Sequence, residues 1–117
     1  MVTEVTGTAE DICTKLLKAG TVKTLEGSVG SSVTTIYTTP SGYVAYVINV
    51  SGGAAGYIKV YKSSDDNDYM TLFYGNNYMG IVAPFPIKVP YGYYIAAYNC
   101  RYHIVLVEVP TDKDPIG

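Results

Sequence analysis

"SVTTIYTTPSGYVAYVINVSGGAAGYIKVYK", residues Ser32–Lys62, decides the fold. Three runs rich in Val, Ile, Thr and Tyr, over 32–38, 43–50 and 56–62, repeat with a period of two and are parted by "PSG" and "SGGAA". That is how strands separated by turns read, because β-branched and aromatic side chains suit a pleated surface and Pro and Gly suit the bends. Outward from this stretch the same period continues over 21–29, 68–75, 81–89, 93–99 and 101–109. About eight short strands result, with no helical pattern between them to carry a parallel crossover. The expected fold is therefore all-β, an antiparallel β-sandwich of jelly-roll-like type, with a closed barrel as the other architecture this spacing permits. Pro84 and Pro86 each remove a ladder donor, so "APFPI" belongs at an edge, a bend or a break.

A chain of 117 residues suits one domain. With 48% hydrophobic and 15% charged residues it can bury a core, which excludes disorder for its bulk. We read residues 1–20 as an N-terminal segment, 21–110 as the sandwich and 111–117 as a flexible tail. The net charge of -2 and the scatter of the eight basic residues argue against nucleic acid, which needs a positive stripe. The first ten residues lack the basic start and apolar core of a secretory leader, and no apolar run approaches the roughly 20 residues that span a bilayer. The expectation is a soluble protein that binds neither membrane nor nucleic acid.

The one helical signal is "TAEDICTKLLKAG", with Thr8 as cap, Asp11 three residues on and Gly20 as stop. Ile12, Leu16 and Leu17 are expected on one side, forming either a cap packed on the domain or an arm that docks on a neighbour. Cys13 and Cys100 match neither a redox pair nor a metal knuckle. Two buried free thiols are the favoured reading. A bridge, the other reading, would add on the order of 4 kcal/mol by closing so long a loop.

One phrase is said twice: "PSGYVAYVIN" from Pro40 and "PYGYYIAAYN" from Pro90, each Pro-x-Gly with an Asn nine residues after the Pro. It resembles the second motif of the cupins, a jelly-roll family, P-x-G-x-x-H-x-x-x-N. In cupins that His ligates a metal. Here its place is held by Ala45 or Ile95, and the chain has one histidine in all. A metal site needs several converging N, O or S ligands, so no metal and no cofactor is expected. The surviving content is structural: Pro and Gly shape a turn into a strand, and Asn ends one or begins the next turn. Two equivalent strands in two facing sheets would read this way.

His103 shares its strand face with Arg101, Val105, Val107 and Val109, whereas Glu108 lies with Tyr102, Ile104 and Leu106. With no carboxylate on that face of its strand and no nucleophile signature, a catalytic role for it ranks far below a structural one, and the chain is read as non-enzymatic. "SSDDND" lacks the register of a calcium loop and reads as a hairpin tip. The thirteen tyrosines exceed what one small core holds, so several should be exposed and mark a protein interface or a sugar platform. With no Trp present, the interface is favoured; its candidate residues are Tyr91, Tyr93, Tyr94, Tyr98, Ile12 and Leu16.

Across 21–110 the chain also resembles small β-sandwich structural proteins of phages and archaeal viruses, including head-decoration and jelly-roll capsid components. The resemblance implies a virion structural protein, assembled in the host cytoplasm, whose partners are itself, as a homotrimer or other symmetric oligomer, and other capsid proteins. The alternative is a carbohydrate- or ligand-binding β-sandwich module with glycans as partners. A metal-free cupin-like enzyme ranks third.

Overall fold

The computed structural model describes residues 12–53, 55–62, 65–75 and 86–116. A helix over residues 12–19, α1, precedes eight strands: β1 (Thr21–Val29), β2 (Thr34–Thr38), β3 (Tyr43–Gly53), β4 (Tyr57–Lys62), β5 (Asp65–Tyr74), β6 (Ile87–Val89), β7 (Tyr94–Tyr98) and β8 (Cys100–Pro110). They form two four-stranded antiparallel sheets ordered β1-β8-β3-β6 and β2-β7-β4-β5. This is the jelly-roll arrangement, in which each sheet interleaves strands from both halves of the chain.

Alternation along each strand sets the layers. Ala45, Val47, Val50, Ile104 and Leu106 from one sheet meet Ile58, Val60, Leu72, Phe73, Ile95 and Ala97 from the other, and all are buried. Ala45 and Ile95, which occupy the cupin ligand position, are therefore packed in the core. Two strands reach further than their turn residues suggest. Gly52 and Gly53 extend β3, and β5 begins at Asp65, so "DDND" lies in a strand and not at a hairpin tip. Ladder bonds satisfy the backbone whatever the side-chain propensity, which is why polar residues are drawn into these strands. Pro84 lies outside the described residues; Pro86 leads into β6, three residues long and at a sheet edge as expected.

The repeated phrase forms two equivalent turns. Tyr43 N donates to Pro40 O at 3.2 Å and Tyr93 N to Pro90 O at 3.0 Å. Gly42 and Gly92 carry φ of 85° and 93°, which the third position of a type II turn requires. The turns lead into β3 and β7, which lie in opposite sheets. Asn99, at φ 49°, is the single residue between β7 and β8, whereas Asn49 sits inside β3 beside a register shift.

Helix α1 lies on the outer face of the first sheet, where Leu16 is fully buried with Val44, Tyr46, Val107 and Val109, and Ile12 and Ala19 flank it. The domain-cap reading is thus the one the structure shows. Leu17 points away and is 47% exposed, because a step of one residue turns a helix by about 100°. Thr8 and Asp11 lie outside the described residues. Gly20 ends α1 with its N–H on Leu16 O at 3.0 Å, and a Cβ there would strike the Glu108 carbonyl and the Val107 and Val109 side chains. Both cysteines are free; Cys13 is only half-buried, contrary to expectation, since it sits on the helix and not in the sandwich.

The segment read as a flexible tail is tied to the domain as far as Asp114. Thr111 N donates to Gly42 O at 3.0 Å, a 3-10 turn covers Thr111–Lys113, and the Asp114 carboxylate accepts the Tyr46 hydroxyl at 2.9 Å to each oxygen. Polar sequence hid this, because the anchor is a carboxylate meeting a buried phenol and not an apolar contact.

Candidate functional site

On β4 and β7, Tyr57, Tyr61, Tyr94 and Tyr98 alternate with the core residues Ile58, Val60, Ile95 and Ala97, so all four stand on the outer face of the second sheet. Register pairs Tyr57 with Tyr98 and Tyr61 with Tyr94, and their rings stack with centroids 5.2 Å apart in both pairs. Tyr74, opposite Tyr57 on edge strand β5, adds a third ring at 6.4 Å. Lys59 Nζ sits 4.2 Å from the Tyr57 centroid. The result is two cross-strand rows of tyrosines with Lys59 and Ala96 between them.

This stacking decides what the face can hold. Sugar platforms offer a ring face to the ligand. Here Tyr57 is flanked by Tyr98 on one side and Tyr74 on the other, with Lys59 over the ring, and Tyr61 and Tyr94 face each other. The faces of these rings are thus engaged by neighbours within the chain.

The six interface candidates fall in four places. Tyr94 and Tyr98 are on the tyrosine face. Tyr91 is 62% exposed on the β6–β7 turn, and Tyr93 packs inward against the core. Ile12 and Leu16 are on the other sheet; Leu16 is sealed beneath its own helix and offers no surface to a neighbour. Tyr57, Tyr61 and Tyr74 complete the face. Alternation on "YIKVYK" is the signal that places Tyr57 and Tyr61 outside, but the pairing that stacks them on β7 is a matter of register that one strand's sequence does not carry.

Two phenols, half-buried Tyr37 and buried Tyr46, hold polar anchors. The Tyr37 hydroxyl, on β2, donates to Glu108 Oε2 on β8 at 2.6 Å, joining the sheets through the interior, and Lys23 Nζ lies 3.2 Å from Oε1. Burial, then the bond to Glu108 and its charge, push the Tyr37 phenol well above its ordinary range. Burial and the Asp114 carboxylate do the same to Tyr46. The Cys100 thiol, donating to Tyr57 O at 3.6 Å, is pushed up by burial, which makes it a poor nucleophile.

His103 stands on the outer face of the first sheet. Register places Glu26 opposite it on β1 and Ser51 opposite it on β3, one row of three across adjacent strands. So a carboxylate does share its face, contributed by another strand: Glu26 Oε1 is 4.0 Å from Nε2, beyond hydrogen-bond length, and both side chains are open to solvent. Arg101 stands in the next row between Ser28 and Gly53. Among the described residues no group of His, Cys, Asp and Glu is arranged to hold a metal. No protein family model matches the chain, and neither a curated protein nor a solved structure matches it.

Proposed function

We propose that this chain is a non-enzymatic structural protein of a virus particle, a capsid, decoration or related assembly component, that acts through symmetric contacts between copies. The observation that carries the reading is the tyrosine face. Stacked rings on the outer face of the second sheet, partly exposed at Tyr57, Tyr94 and Tyr98 and 57% exposed at Tyr74, supply aromatic area without long, flexible side chains, which is what a protein interface uses at low entropic cost. The jelly roll supports it, since capsid domains share that architecture, though fold alone never fixes function. The partners proposed are further copies of the chain, as a homotrimer or other closed ring, and other capsid proteins.

Sedimentation equilibrium of the full chain tests the reading. A discrete symmetric oligomer is expected at micromolar concentration, and Tyr74→Glu with Tyr98→Glu should return it to monomer while circular dichroism stays β-sheet. A wild-type chain that stays monomeric to about 100 μM, equivalent to less than about 5.5 kcal/mol of association, would refute assembly through this face.

A further inference from the structure

We infer that the recess on the outer face of β1, β8 and β3 binds an acidic sugar, a ligand that carries one carboxylate beside several hydroxyl groups. The recess measures about 520 Å³ and is lined by Glu26, Ser28, Ser51, Gly53, Arg101 and His103. Small residues on the flanking strands make it: Ser28 and Gly53 beside Arg101, and Ser51 beside His103, leave room on either side of the central strand.

Its chemistry selects the ligand. Arg101 is the only arginine of the chain and His103 the only histidine, and both are exposed. Among the described residues Arg101 has no carboxylate within 4.0 Å, so its planar fork is open to take a carboxylate through two parallel bonds. One strand repeat away, about 7 Å along β8, the row of Glu26, His103 and Ser51 offers an acceptor, an imidazole and a hydroxyl. That row suits sugar hydroxyls, which both donate and accept. A phosphate dianion would set its second charge against Glu26, and a neutral sugar would leave Arg101 without its partner. One negative charge flanked by hydroxyls satisfies both rows.

Nuclear magnetic resonance of the full chain tests this, because His103 gives the only imbidazole signals and Arg101 the only guanidinium signals. Titration with D-glucuronate should shift both saturably, with D-glucose at least tenfold weaker and sodium chloride at matched ionic strength without effect. Arg101→Gln, at an exposed position, should keep the fold by circular dichroism and lose about tenfold or more in glucuronate affinity, the loss expected for a charged hydrogen bond. Glu26→Gln should weaken glucuronate less than Arg101→Gln does. A response to glucuronate no larger than to glucose or salt overturns the proposal, as does an unchanged affinity in Arg101→Gln or tighter binding of inorganic phosphate.

Discussion

Removing the Tyr37 hydroxyl should weaken the sandwich by an amount set by Glu108. Glu108 is 7% exposed between the sheets, and its two oxygens are met by a phenol at 2.6 Å and by the half-exposed Lys23 at 3.2 Å. A hydrogen bond to a buried charge contributes about 1.5–3 kcal/mol, so Tyr37→Phe should cost about that much. Glu108→Leu alone strands the phenol without its acceptor, and should cost about 1–3 kcal/mol. The exposed ammonium of Lys23 adds little, since solvent screens it. Replacing the whole arrangement differs in kind: Tyr37→Phe with Glu108→Leu removes the buried charge with its partner, and such replacements are often neutral or stabilising. The double variant should therefore be at least about 1.5 kcal/mol more stable than the sum of the single losses predicts, outside the roughly 0.5 kcal/mol within which independent sites add. Urea unfolding of the four chains, read at unchanged m-value, measures it. Additive losses would refute the claim that this bond clamps the two sheets.

Two further outcomes follow from the packing. Leu16→Ala should cost about 2–5 kcal/mol in urea unfolding and Leu17→Ala less than about 0.5 kcal/mol, since only the first is enclosed beneath α1; equal losses would mean the helix does not dock as described. In alkaline titration followed by phenolate absorbance, Tyr37 and Tyr46 should ionise above the ordinary phenol value of 10.0. Their folded values lie above the unfolded value of 10.0, so the stability they contribute is fully present below pH 10 and is lost as pH rises toward their folded values. Tyr37→Phe and Tyr46→Phe should each remove one late-ionising phenol.

Most of the architecture is legible in the sequence because alternation is a local signal. On "RYHIVLVEV" it places Glu108 on the same face as the core residues Ile104 and Leu106, so a buried carboxylate was readable there, and the only unknown was its partner. Tyr37, 71 residues away, could not be named as that partner, because the fold and not the strand brings β2 over β8. The same limit explains His103. Alternation correctly shows no acid on its face within β8, yet Glu26 arrives from β1 through a register that begins at Thr21 opposite Glu108 and continues unbroken to Val29 opposite Cys100. Helix α1 departs from expectation at Leu17 for a different reason: spacings of four and five from Ile12 span a wide arc of the helix, and the sheet accepts only the stripe through Ile12, Leu16 and Ala19.

The repeated phrase is best understood through the strand orders. Shifting every strand by four turns β1-β8-β3-β6 into β5-β4-β7-β2, which is the second sheet read backwards. The jelly roll therefore relates β3 to β7 by an approximate two-fold operation, and these are the strands the two Pro-x-Gly-Tyr turns lead into, with Pro40 and Pro90 fifty residues apart. Within the turns the chain repeats because the fold asks the same thing twice: a glycine with positive φ, then a strand. Beyond them it diverges, and the divergence follows what covers each sheet. The outer face of β3 carries Val44 and Tyr46, buried under α1, whereas the outer face of β7 carries Tyr94 and Tyr98, stacked on Tyr61 and Tyr57 of β4. The approximate two-fold therefore holds for the turns and strands but not for their outer faces, one of which packs a helix while the other builds cross-strand tyrosine stacks.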